Sequence, residues 1–146
     1  MVGYALTMNT RWEHFEHQAD IGVRGYGRSL AEAFEQIAMA LTAVITQPEG
    51  VSASRMIVVR CEAPDSELLL ADWLNAVLRE MSALRMVFSR FSVELEGNRL
   101  KAKLWGERLD QPRHQPVVEV KGASYHRLKV VKQDDSHWMA QCVVDV

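Results

Sequence analysis

The chain is predicted to form an α+β fold in which two helices pack on a largely antiparallel β-sheet. Three observations predict it. Two stretches carry apolar residues at three-and-four spacing, most of the remainder alternates at the strand period, and the order of elements is not the strand–helix alternation of a doubly wound nucleotide binder. The length of 146 residues suits a single domain.

Residues 1–10 hold no buried pattern and are expected to be a disordered, dispensable extension, with Met8 as an alternative start, leaving residues 11–146 as the domain. Trp12 to Arg24 suits two short extended pieces with His17-Gln18-Ala19-Asp20 between or within them, before Gly22, Gly25 and Gly27 break the pattern. Ser29-Leu30-Ala31-Glu32 reads as a capping box, with the Ser29 hydroxyl on the Glu32 amide and the Glu32 carboxylate on the Ser29 amide. Leu30, Phe34, Ile37, Ala38, Leu41 and Ile45 then mark one buried face of a helix over about 29–46, stopped by Pro48 and Gly50. Arg55 to Glu62 alternates around Ile57, Val58 and Val59 and reads as a strand. Pro64-Asp65-Ser66 opens a second helix, about 66–83, with Leu69, Trp73, Leu74, Val77, Leu78 and Met81 on its apolar face.

The second half reads as β. Val87, Phe91, Val93 and Leu95 lead to Gly97-Asn98, a two-residue hairpin signal, and Leu100, Ala102 and Leu104 alternate on the return strand. Residues 108–116, with Pro112 and Pro116, form the longest expected loop. Val117 to Val131 is expected to be extended with a break near Gly122, Asp134-Asp135-Ser136 to turn, and His137 to Val146 to form the last strand.

Composition narrows the function classes. A formal charge of −2 and a pI near 6.2 do not suit an autonomous nucleic-acid binder, and no independent DNA binding is expected. No apolar run approaches the roughly 20 residues of a membrane span, and the start lacks a signal-peptide pattern. Cys61 and Cys142 each sit in an apolar segment and are expected to be buried thiols, consistent with a reducing cytoplasm. Gly22, Gly25 and Gly27 make neither a P-loop nor a dinucleotide fingerprint, and no C-x-x-C or H-E-x-x-H zinc pattern occurs. His14 and His17 do not share a helix face, and Ser29 is explained as a cap.

Asp20 lies between Ala19 and Ile21, where a carboxylate costs free energy unless it is paired, hydrogen-bonded or metal-bound. At the other end, Cys142-Val143-Val144-Asp145-Val146 is expected to place an α-carboxylate beside the Asp145 side chain. Two such anions repel unless a proton or cation lies between them, and oxygen donors suit a hard cation such as Ca²⁺, Mg²⁺ or Mn²⁺. Two solvated surface acids remain the plainer alternative. In Glu119-Val120-Lys121-Gly122-Ala123-Ser124-Tyr125-His126, the Lys, Tyr and His suit either a polar site or an ordinary solvated strand face.

Trp12-Glu13-His14-Phe15-Glu16-His17-Gln18-Ala19-Asp20-Ile21-Gly22, followed by Arg24-Gly25-Tyr26-Gly27, resembles the opening motif of the archeases. The resemblance runs on through Leu69 to Leu74, Gly106-Glu107, Glu119-Val120-Lys121 with Tyr125-His126, and Val144-Asp145-Val146. Gln18 stands where a Thr is familiar, and Gly122 and Ser124 replace a more usual Ala and Thr. The resemblance implies the archease fold and the role of a non-enzymatic accessory factor. Such a factor activates an RtcB-type RNA ligase in tRNA splicing or RNA repair, promoting its guanylylation by GTP and its multiple turnover. It further implies a divalent metal, Ca²⁺ foremost with Mg²⁺ or Mn²⁺ as alternatives, held by Asp20, Asp145 and Val146. Lys121, His17, Tyr125 and His126 become residues of ligase activation, RNA is met only indirectly, no membrane is involved, and the setting is the cytoplasm. The competing readings are a small metal-dependent phosphoester hydrolase with His17 or His126 as base, and a chaperone-like interaction module without chemistry.

Overall fold

The computed structural model describes residues 10–146; the expected N-terminal extension lies, apart from Thr10, outside the described residues. In chain order the elements are β1 (Arg11–His17), β2 (Asp20–Gly27), α1 (Leu30–Ile45), a 3₁₀ turn (Pro48–Gly50), β3 (Arg55–Glu62), α2 (Ser66–Leu84), β4 (Met86–Glu96), β5 (Arg99–Arg108), the single-turn α3 (Gln111–His114), β6 (Gly122–Asp134) and β7 (His137–Asp145). The strands form two antiparallel sheets, ordered β1-β2-β7-β6 and β3-β5-β4.

Local chemistry explains both long helices. Ser29 caps α1 by accepting the Glu32 amide at 3.1 Å. The other half of the expected box does not form. The Glu32 carboxylate passes Ser29 and accepts from the Arg28 amide (3.3 Å) and the Thr10 hydroxyl (2.7 Å) instead. Asp65 caps α2 by accepting the Leu68 amide at 2.8 Å, and α2 stops where Arg85 turns left-handed, φ 54° and ψ 49°. The faces expected to be apolar are the buried ones: Phe34, Ile37 and Leu41 on α1, and Trp73, Leu74 and Val77 on α2, have no exposed surface. Each such burial contributes roughly 1.5–3 kcal/mol. The Trp73 indole donates to the Phe34 carbonyl (3.0 Å) and so ties the helices together.

α1 bridges the sheets. On one side it lies so close to β2 that a Cβ on Gly25 would stand 2.3 Å from the Ile37 nitrogen. On the other, buried Thr42 donates its hydroxyl to the Phe88 carbonyl at 2.7 Å.

Three features depart from the strand pattern. The expected single sheet is two, because periodicity marks strands and not their partners. Residues 117–121 are extended but join no sheet. They form a strap tied at its ends, with the Val117 amide on the Ile45 carbonyl (2.9 Å) and the Lys121 amide on the Asp145 carbonyl (2.8 Å), while Val118 and Val120 pack on the core. The expected loop at 108–116 contains α3, fixed through buried His114. Cys142 is buried, Cys61 is half-buried, and both are free. No helix among the described residues is long and apolar enough to cross a membrane.

Candidate functional site

One end of the four-stranded sheet gathers the residues singled out above. β1 and β2 form a hairpin whose last pair is His17 with Asp20, turned by Gln18 at φ 55°, the positive value that primed hairpin turns require. β7 lies between β2 and β6, with Ile21 opposite Val144 and Gly122 opposite Asp145. One step beyond the Ile21–Val144 pair, the register sets Asp20 across from Asp145. Directly opposed residues of antiparallel strands hold their Cβ atoms roughly 4.5–5.5 Å apart. His17, Asp20, Asp145 and Gly122 therefore form one row across all four strands. Asp145 is exposed, whereas Asp20 and Val146 are half-buried.

The histidines come together by a different route. Between Ser124 and Lys129 the register of β6 slips against β7, and Arg127 takes φ 60°. The extra residues fold over the sheet face away from the helices. There the Arg127 carbonyl accepts from the side chain of buried Gln141 (3.0 Å), and the His126 ring stands 4.9 Å from the His17 ring, tilted by 55°. The His17 Nδ1 is buried without a hydrogen-bond partner. Tyr125, on the same excursion, is 61% exposed. His14 is set apart from this group, its Nε2 lying 2.7 Å from the Ala40 carbonyl.

Lys121 joins the row through its backbone, while its residue lines a groove beside α2 with Asp72, Asn75 and Arg79. The Asn75 side chain accepts the Ala123 amide at 2.9 Å and fixes the start of β6. Neither Asn75 nor Gln141 was legible as a site support, although a glutamine inside the apolar run of β7 is a signal that could have found the second. Glu13 is a third support. Burial opposes its charge, but hydrogen bonds from Tyr26, Arg11 and Arg24 hold its carboxyl below the usual range. Arg24 also donates to Gln141 (2.7 Å) and stacks on Phe15, so β1, β2 and β7 are locked beside the acid row.

The donor chemistry can be tested against a metal. Among the described residues no three His, Cys, Asp or Glu side chains meet in a group able to hold an ion. The register sets two aspartates, Asp20 and Asp145, in one row, so a cation there needs further oxygens from backbone carbonyls or water. That set fits a hard cation and not zinc.

A helix-bridged pair of antiparallel sheets makes this a small single-domain α+β protein, and its candidate site is the acidic row between the first hairpin and the last strand. The chain belongs to the archease family: the model of the Archease protein family (MTH1598/TM1083) matches residues 12–146. It is 46% identical over 140 residues to the protein archease of Pyrococcus abyssi, covering 93% of this chain and 99% of the relative. It is 45% identical over 142 residues to that of Thermococcus gammatolerans, with the same coverage. Among solved structures, the solution structure of Methanobacterium thermoautotrophicum protein 1598 superposes with a TM-score of 0.76 at 26% identity, covering 92% of this chain and 98% of that one. A Thermotoga maritima crystal structure, described as an archease and possible chaperone, has a TM-score of 0.60 at 22% identity over 92% of this chain and 96% of its own, a likeness of fold alone.

Proposed function

We propose that this archease is a metal-binding accessory protein that activates an RtcB-type RNA ligase, promoting guanylylation of the ligase by GTP and its multiple turnover in tRNA splicing or RNA repair. The observation that carries the reading is the register that sets Asp20 across from Asp145, with Lys121 bonded to the Asp145 backbone. Residues from opposite ends of the sequence thereby make one charged edge. Asp20, Asp145 and the Val146 carboxylate would hold a hard divalent cation, Ca²⁺ foremost. Bound there, such an ion supplies charge that offsets the negative charge of a phosphoryl group in transfer.

The chain's own residues do the rest. The Asn75 and Lys121 hydrogen bonds fix the start of β6 and the end of β7 before any partner arrives, so little ordering is left to the encounter. The Lys121 ammonium makes no ion pair among the described residues and is available to a phosphate. Exposed Tyr125 offers an aromatic anchor beside the row, the kind of side chain that dominates partner interfaces.

The test is GTP-dependent guanylylation and RNA ligation by a purified RtcB-type ligase, with this chain, without it, and with Asp20→Asn and Asp145→Asn. Stimulation by the parent chain and its loss in both variants supports the reading. No stimulation by the parent chain ends it. The chaperone description of the Thermotoga relative favours a second reading, an interaction module without chemistry, which predicts stimulation that survives loss of both acids.

A further inference from the structure

The three-stranded sheet is covered by the helices on one face only. Along β5, Leu100, Ala102 and Leu104 face the core while Lys101, Lys103 and Trp105 face outward. The register adds Arg60 from β3 opposite Lys101 and Arg90 from β4 opposite Trp105. Exposed Met56, opposite Trp105, completes the surface. No carboxylate lies within ion-pair reach of Arg60, Lys101 or Lys103 among the described residues, although Glu94 is the cross-strand neighbour of Lys101. The other acids of this face, Glu62 and Glu96, sit with Arg99 at the hairpin end. On a chain of net charge −2, this open sheet face thus carries Arg60, Arg90, Lys101 and Lys103 against Glu94, with Glu62 and Glu96 beside Arg99.

We propose that this face binds a single-stranded RNA segment, with its phosphates along Arg60, Lys101 and Lys103 and a base stacked on the Arg90–Trp105 platform. Charge complementarity and shape both favour that occupant. Lys101 and Lys103, alternate residues of β5, stand roughly 6.8 Å apart on one face, a repeat that an extended single strand can follow, and Arg60 lies beside Lys101 on β3. The Arg90 guanidinium lies over the Trp105 ring, 4.4 Å from its centroid, so a planar cation is backed by an indole on this face. Bases splayed from a single strand stack on such guanidinium and aromatic planes. An acidic peptide would use the cations but leave the platform empty. The surface is separate from the acid row, and the proposal does not depend on ligase activation.

The experiment uses the chain alone with a fluorescein-labelled single-stranded RNA of mixed sequence, followed by fluorescence anisotropy across a salt series. Binding that weakens with salt is expected. Lys101→Glu with Lys103→Glu should cut affinity at least tenfold and flatten the log–log salt slope by about 1.4, at roughly 0.7 per lost phosphate contact. Trp105→Ala should weaken binding with the slope unchanged, since stacking releases no counterions. The same two-charge reversal at Lys129 and Lys132, on the other sheet, should leave binding within twofold. The assignment is overturned if the parent chain does not bind, if both double reversals lose affinity equally, or if polyglutamate displaces the RNA as well as unlabelled RNA does. Thermal melts of each variant exclude unfolding as the cause of a loss.

Discussion

The Lys121 amide donates to the Asp145 carbonyl at 2.8 Å, so the lysine is held against the acid by its backbone and not by its charge. Lys121→Ala keeps that bond and removes the ammonium with its alkyl stem. Its stability should stay within about 0.5 kcal/mol of the parent in urea unfolding, as for an ordinary surface substitution, while ligase guanylylation falls. Full stimulation by the folded variant would return Lys121 to an ordinary solvated residue of the strap.

The acid row should report itself in calorimetry. Ca²⁺ titrated into the parent chain is expected to give one site that disappears in Asp20→Asn. A short extension after Val146, which turns the α-carboxylate into an amide, should weaken that site and ligase stimulation together. Unchanged Ca²⁺ binding in the extended chain removes Val146 from the ligand set.

Acid should loosen the 108–116 loop before the rest. The Glu107 carboxylate accepts from Arg113, the Ser52 amide (2.6 Å) and His114 Nε2 (3.0 Å), and these hold its pKa at about 2, against an ordinary 4.5. A lowered folded pKa means stability that is complete above about 4.5 and lost as pH falls toward 2. The parent melting temperature should therefore drop across that interval more steeply than that of Glu107→Gln. At neutral pH the variant should already be about 1–3 kcal/mol less stable, its donors having lost a charged acceptor. Parallel melting curves for the two proteins would count against this role.

Arg85 closes α2 in the left-handed region, where a side chain is strained and glycine is not. Arg85→Gly should gain about 0.5–1 kcal/mol in urea unfolding, because the residue's hydrogen bonds are backbone ones, its amide to the Met81 carbonyl and its carbonyl from the Leu109 amide, and both are kept. A loss would mean that the arginine side chain supports the turn.

Gly25→Ala should act in the opposite direction. The added methyl would collide with α1 backbone at Ile37 and Ala33, and the helix must lift from the sheet at a cost of about 3 kcal/mol. An unaffected melting temperature would show that α1 adjusts freely.

What the sequence made legible follows the range of each interaction. α1 and α2 were readable because caps and a three-and-four stripe are local. The β4–β5 hairpin was readable because Gly97, at φ 59°, announces its turn. The β6 excursion was not, since Arg127 takes a positive φ with no glycine to mark it. For the site, the residue types hinted at Asp20 and Asp145 separately. Their meeting depends on the register of β2 against β7, which no local pattern encodes. The Glu32 carboxylate shows the same limit, because Thr10, 22 residues away, competes for it.

The position of β7 between β2 and β6 has a kinetic consequence. Arg24 and its partner Gln141 are 117 residues apart in the chain, so the first hairpin finds its neighbour strand only by closing a loop that spans most of the sequence. Closing so long a loop is slow, and the β3–β5 sheet with its adjacent helix can assemble earlier from nearer contacts. The acid row exists only once β7 is seated against β2. A partially folded chain carries no such site, and any partner that reads Asp20 and Asp145 together also verifies that folding is finished.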